Sequence, residues 1–198
     1  MIGKHAAIAH RLAALVVLAA CAGAGAAGAS SIAKSEYRAE RERSHGVYRN
    51  EWDSCKKLRA NAREICKVEA KGRFQVAKVE LDAKYKPTPA RDDKVKTTRA
   101  EAAFRLTREK CSDLSGNAKD VCRADAKMSL VAAQTEAKVS RAAIDKGVNS
   151  RQANSERKQA REENSEARFA AAKERCDALS GDAKSSCVGE ARKKFGKI

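Results

Sequence analysis

The stretch Cys111-Ser112-Asp113-Leu114-Ser115-Gly116-Asn117-Ala118-Lys119-Asp120-Val121-Cys122 occurs, in variant form, three times in this chain, and reading it decides the fold. Its two cysteines are separated by ten residues, and the same spacing recurs in Cys55/Cys66 and Cys176/Cys187. The register extends outward on both sides. Seven residues before the first cysteine stands Tyr48, Phe104 or Phe169, and three after it Leu58, Leu114 or Leu179. Asn61-Ala62-Arg63, Asn117-Ala118-Lys119 and Asp182-Ala183-Lys184 align next. Glu69-Ala70-Lys71, Asp125-Ala126-Lys127 and Glu190-Ala191-Arg192 follow the second cysteine, and then Phe74, Leu130 or Phe195. A supersecondary unit present in three copies accounts for such a register.

Each unit reads as a helical hairpin. An aromatic, a cysteine seven later and a leucine three beyond that form a narrow stripe on one helix face. Ser115-Gly116 and Ser180-Gly181 then supply a glycine able to take the left-handed conformation that ends a helix. Asn117 or Asp182 follows as an expected N-cap, and Asn61 with Glu64 forms a capping-box pattern. The second arm places Cys66, Ala70, Phe74, Ala77 and Leu81 at steps of four, four, three and four, again a helical face. One cysteine lies about a turn from the bend on either arm, so a disulfide is expected across each hairpin: Cys55–Cys66, Cys111–Cys122 and Cys176–Cys187. Closing so short a loop is worth on the order of 3 kcal/mol by the chain-entropy estimate.

The staples compensate for a poor supply of core residues. Of 198 residues, 40 are alanine and only 4% are aromatic, so the 42% hydrophobic content hides a shortage of large side chains. Burying alanine removes little apolar area from water. The expected fold is therefore all-α: three disulfide-stapled helical hairpins in tandem with flexible linkers, extended rather than built on a single core. The boundaries expected are 35–86 for the first hairpin, 91–144 for the second and 162–198 for the third. Pro87 and Pro89 mark the first junction, and a polar linker over 145–161 with Gly147, Asn149 and Ser150 marks the second.

Residues 1–29 read as a targeting segment. Lys4 and Arg11 precede an unbroken apolar run, Leu12 to Ala20, which is followed by Cys21 and then only Ala and Gly to Ala29. This is the layout of a secretory signal peptide, too short to span a bilayer. Two processing readings compete. Ala27-Gly28-Ala29 offers cleavage before Ser30, whereas Leu18-Ala19-Ala20-Cys21 has the form of a lipobox, ending the signal at Ala20 and making Cys21 a lipidation site. Either way the chain is exported, to the periplasm, with membrane anchoring through Cys21 in the second case. Six cysteines remain after Ala29, and an even number in an exported chain is read as disulfides.

Chemistry is disfavoured by inventory. His45 is the sole histidine after residue 29, set among charges. No phosphate-binding glycine loop, HExxH pattern or Ser-His-Asp set can be assembled. The cysteine spacing does not suit structural zinc, which prefers close pairs such as C-x2-C, nor a C-x-x-C redox site. No enzyme, no catalytic residue, no metal site and no cofactor are expected. Trp52, where the other units carry Arg108 and Lys173, is expected to cover the first hairpin.

The charge suggests one alternative. With 42 Lys and Arg against 26 Asp and Glu, the formal charge is +16. Such an excess invites contact with anionic polymers or lipids, although runs such as Arg38-Ala39-Glu40-Arg41-Glu42-Arg43 interleave both signs as on a solvated helix. The local excesses are Lys56, Lys57 and Arg59, and at the C-terminus Arg192, Lys193, Lys194 and Lys197. The expected partner is an envelope protein or an anionic envelope surface. Nucleic acid is not expected for an exported chain, and membrane contact is expected only through a lipid on Cys21 or through charge.

The L-S-G-[ND]-A-K segment between the cysteines, the x-[DE]-A-[KR] stretch after them and Tyr85-Lys86-Pro87 resemble a family of small exported proteobacterial proteins, rich in Lys and Ala, often labelled TolA-like cell-envelope biogenesis proteins. The likeness covers roughly residues 35–198. It implies a cell-envelope setting and a structural or interaction role rather than a Tol-type mechanism. The first unit departs from the pattern, with Arg59-Ala60 in place of Ser-Gly at its turn. A fainter similarity is to the PsiF repeats, which also join paired cysteines through a Gly-Asp-Ala-Arg-like turn but at longer spacing.

Overall fold

The computed structural model describes residues 31–197, so the targeting segment, with Cys21 and both processing sites, lies outside the described residues. Six α-helices follow one another: α1 Lys34–Cys55, α2 Ala60–Tyr85, α3 Pro89–Lys110, α4 Gly116–Lys146, α5 Arg151–Cys176 and α6 Gly181–Lys194, with a single 3-10 turn over Cys111–Asp113 between α3 and α4. Among the described residues there is no strand. The fold is all-α, three stapled hairpins in tandem.

Extensive packing joins only helices that are consecutive in the chain, α1 to α2, α2 to α3, α3 to α4, α4 to α5 and α5 to α6. Among the described residues the result is a single row of helices with no second layer. Its buried apolar residues show how little core this requires. Apart from Leu81 and Leu130 they are alanines and the first cysteine of each pair, Cys55, Cys111 and Cys176. Small side chains suit a row because neighbouring helices can approach closely, while each helix keeps faces open to water. The second-arm stripe expected from sequence is the packed face of α2, with Ala70 and Leu81 buried and Phe74 half-buried.

The disulfides close the three bends as expected, with Cα–Cα separations of 5.5, 5.7 and 5.7 Å, inside the range that unstrained bridges occupy. Three such bonds belong to an oxidising, exported environment.

The bends themselves differ from expectation in three ways. The first helix of each unit stops at its first cysteine, α3 passing there into the 3-10 turn, so Leu58, Leu114 and Leu179 fall in the bend. Their N–H groups donate to the carbonyls of Cys55, Cys111 and Cys176, and their side chains are 41–44% exposed. They therefore do not continue the packed stripe, because the helical phase that would have placed them there has ended. The left-handed residue begins the second helix instead of ending the first, with φ +53° at Gly116 and +54° at Gly181. The first unit reproduces the same turn with Ala60 at φ +47°. Finally, no side chain caps α2, α4 or α6. Asn61 and Asn117 are turned outward, and Glu64 pairs with Lys67 at 2.9 Å rather than closing a capping box.

The junctions between units are short. Helix α2 ends at Tyr85, and Thr88 caps α3 by accepting from the Arg91 N–H at 3.3 Å, with Pro89 in the first turn where its missing N–H costs nothing. At the second junction Gly147 has φ +90°, and Ser150 caps α5 by accepting from the Ala153 N–H at 3.1 Å. The polar stretch expected as a linker over 145–161 is thus confined to a bend at 147–150. From Arg151 onward it is helix, because Arg, Gln, Ala, Glu and Lys are good helix formers and α4 offers a face to pack on.

Candidate functional site

The bends and the seams between units are the places where side chains of different repeats meet. Asn61 donates to the Glu109 carbonyl at 3.2 Å and to Asp113 Oδ1 at 2.8 Å. Asn117, its counterpart in the second unit, donates to the Glu174 carbonyl at 2.5 Å. Glu109 and Glu174 each stand two residues before a first cysteine, so one repeat position docks each unit onto the next. Sequence reading assigned these asparagines to caps and missed the joint. The signal available was the change to Asp182 in the last unit, since a carboxylate cannot donate. Helix α5 is further tied to α4 by Asn164, which donates to the hydroxyl of the buried Thr135 at 2.8 Å.

The aromatic residues concentrate in the first unit. Tyr48 stacks on Phe74 with ring centroids 4.8 Å apart, and His45 meets the same ring edge-on at 4.8 Å. Trp52 lies 5.7 Å from Tyr48, and Lys67 Nζ of α2 sits 5.8 Å from the Trp52 ring centre. Trp52 is half-buried on the hairpin.

The basic clusters singled out in the sequence are not brought together. Lys56, Lys57 and Arg59 lie at the bend between α1 and α2, whereas Arg192, Lys193 and Lys194 form the last turn of α6, in another unit and at the far end of its hairpin. Lys56 is paired with Asp53 at 2.6 Å and Lys197 with Glu166 at 3.2 Å. Among the described residues, Lys57, Arg59, Arg192, Lys193 and Lys194 have no carboxylate within ion-pair distance; Lys194 lies 5.7 Å from the Phe195 ring centre. Cations in a last turn also complement the negative end of the helix dipole.

No group of three or more His, Cys, Asp or Glu able to hold a metal ion occurs among the described residues, and no described helix is long and apolar enough to cross a membrane. One ionisation is displaced. Tyr37 donates to Asp82 Oδ1 at 2.7 Å, and that hydrogen bond, helped by burial and by the negative charge of Asp82, raises its phenol above the ordinary value of 10.0. No family model, no curated protein and no solved structure matches this chain.

Proposed function

We propose that this chain is a non-catalytic structural or interaction protein of the cell envelope, working in the periplasm, where its row of stapled hairpins serves as a docking frame for another envelope component. The observation that carries the reading is the one-layer architecture held by three cystines. Covalent closure of each bend keeps the helices in place without a deep core, so broad helix faces remain free for a partner. The resemblance to exported TolA-like proteins supports the envelope setting. Photocrosslinking from exposed positions on α3 and α4 in intact cells, compared with positions in the bends, tests it. Adducts that depend on the native cystines are expected, and indifference of all positions to reduction counts against the frame. Intact-mass measurement fixes the export route. A chain starting near Ser30 is expected for the unlipidated route, and an acylated Cys21 for the anchored one.

A second reading, contact with anionic envelope polymers or lipids, is favoured by the unpaired Arg192, Lys193 and Lys194 in the last turn of α6. Binding to anionic vesicles should then weaken steeply with salt, since exposed charges are screened beyond about 10 Å at 0.1 M. Replacing the three residues by Gln should reduce it. Equal binding to neutral and anionic vesicles removes this reading.

A further inference from the structure

The seam between α2 and α3 departs from the equivalent seam between α4 and α5 in a way that the fold does not require. At the first seam Gly72 lies within α2 and is buried; a Cβ there would come 3.2 Å from the Cβ of Ala102. A glycine inside a helix costs roughly 1 kcal/mol relative to alanine, so the position has a reason to stay empty. The equivalent residue at the second seam is Met128, half-buried on α4. Above Gly72 the first seam opens into a groove of about 410 Å³.

Four cations from three successive helices line this groove: Lys71 from α2, Arg105 and Arg108 from α3, and Arg123 from α4. Glu109 is the one carboxylate on its wall. Arg105 is positioned by donating to Gln75 Oε1 at 3.0 Å and by Glu101 at 3.7 Å, and the Arg108 guanidinium lies 5.5 Å from the Phe104 ring centre. Lys71, Arg108 and Arg123 have no carboxylate within ion-pair distance among the described residues. The equivalent positions at the second seam are Lys127, Ala170, Lys173 and Val188, and Asp177 replaces the Ser112 hydroxyl of the first groove. Repeat architecture therefore does not dictate the charge of the groove.

We propose that the groove over the α2–α3 seam is a binding site for a phosphate-bearing anion, held by Lys71, Arg105, Arg108 and Arg123. Guanidinium groups present paired donors that match phosphate oxygens, and an ammonium adds a point charge. Like charges gathered over a concave, low-dielectric wall concentrate field toward its mouth, and a multivalent anion relieves their mutual repulsion. The phosphate belongs either to a soluble ligand or to a lipid headgroup. The site is separate from the α6 cluster and does not depend on the envelope-surface reading.

The test uses the oxidised, full-length processed protein, titrated calorimetrically with inorganic pyrophosphate at low ionic strength and assayed in parallel for binding to phosphatidylglycerol vesicles. The variants are Arg108→Gln/Arg123→Gln, both at exposed positions and expected to leave helicity unchanged, and Arg192→Gln/Lys193→Gln/Lys194→Gln. Pyrophosphate binding that falls by at least roughly tenfold in the first variant and is unchanged in the second supports a soluble phosphate ligand. Vesicle binding that shows the same pattern, without pyrophosphate binding, supports a headgroup. Gly72→Met, copying the other seam, should abolish either if the variant keeps its helicity. If neither probe's binding depends on Arg108 and Arg123, the proposal is overturned. The α6 reading fails separately, when vesicle binding ignores the second variant.

Discussion

Ala60 shows what the turn demands of a single residue. It occupies the left-handed region, φ +47°, where the other two units place glycine at nearly the same angle. An L-residue there brings its Cβ toward the neighbouring carbonyl, costing about 1–2 kcal/mol, while glycine removes that strain and pays about 0.4–1 kcal/mol through a freer unfolded chain. Ala60→Gly is therefore expected to stabilise the protein by several tenths to about 1 kcal/mol, and Gly116→Ala to destabilise it by a similar amount; shifts of the urea midpoint in opposite directions check this. Tyr37 poses a different question at the same scale. Its hydroxyl ties the start of α1 to Asp82 near the end of α2, and its phenol is raised above 10.0. A group raised on folding stabilises fully while pH is below its unfolded value and loses that contribution as pH climbs through the folded one. The stability difference between wild type and Tyr37→Phe should accordingly be present at neutral pH and shrink above about pH 10. A difference that persists unchanged at high pH would sink the assignment.

Among the elements, α6 depends most on its staple. It is the shortest of the six described helices at 14 residues, its extensive packing is on α5, and Ala191 is its one buried residue. An isolated helix of that length is marginal in water. Removing Cys176 and Cys187 as serines should cost on the order of 3 kcal/mol and melt α6 locally, seen as loss of hydrogen-exchange protection over 181–194 with α2 to α4 still protected. The equivalent change at Cys111 and Cys122 should leave both arms helical, because α3 and α4 are each held by a second neighbour. Pairing of cysteines, helical class and the Pro87–Pro89 junction were all legible from spacing, since each rests on short-range geometry. What happens in the bends and between units was not. The outward turn of Asn61, the exposure of Leu58 and the extension of α5 back to Arg151 follow from contacts with the next helix or from where a helix phase ends. The groove at Gly72 was hidden likewise, because Lys71, Arg108 and Arg123 converge only when three helices lie side by side.

At the scale of the whole described row, the outermost helices α1 and α6 differ from the inner ones on the face that would dock a further helix. One helix face carries Asn61, Ile65, Val68 and Gly72 on α2, and the same face carries Asn117, Val121, Ala124 and Met128 on α4. These faces meet α3 and α5, as the bonds from Asn61 to Glu109 and from Asn117 to Glu174 show. On α6 the corresponding residues are Asp182, Ser186, Gly189 and Lys193, polar or minimal throughout. The opposite end is treated alike, for α1 carries Glu42, Gly46, Arg49 and Asp53 where α3 carries Thr98, Ala102, Arg105 and Glu109. Linear repeat arrays stay soluble by making their outermost faces polar, and Asp182 also withdraws the donor that joins each earlier unit to its successor. Asn117→Asp should then weaken the seam between the second and third units by about 1–3 kcal/mol, whereas Asp182→Asn should be silent. Sedimentation carries the argument to assembly. The wild-type protein is expected to remain monomeric at micromolar concentration, and Asp182→Asn/Ser186→Val/Lys193→Met, which gives α6 most of the docking face of α4, is expected to associate. A triple variant that stays monomeric, or a wild-type chain that already dimerises through α6, would show that the polar face of α6 does not govern association.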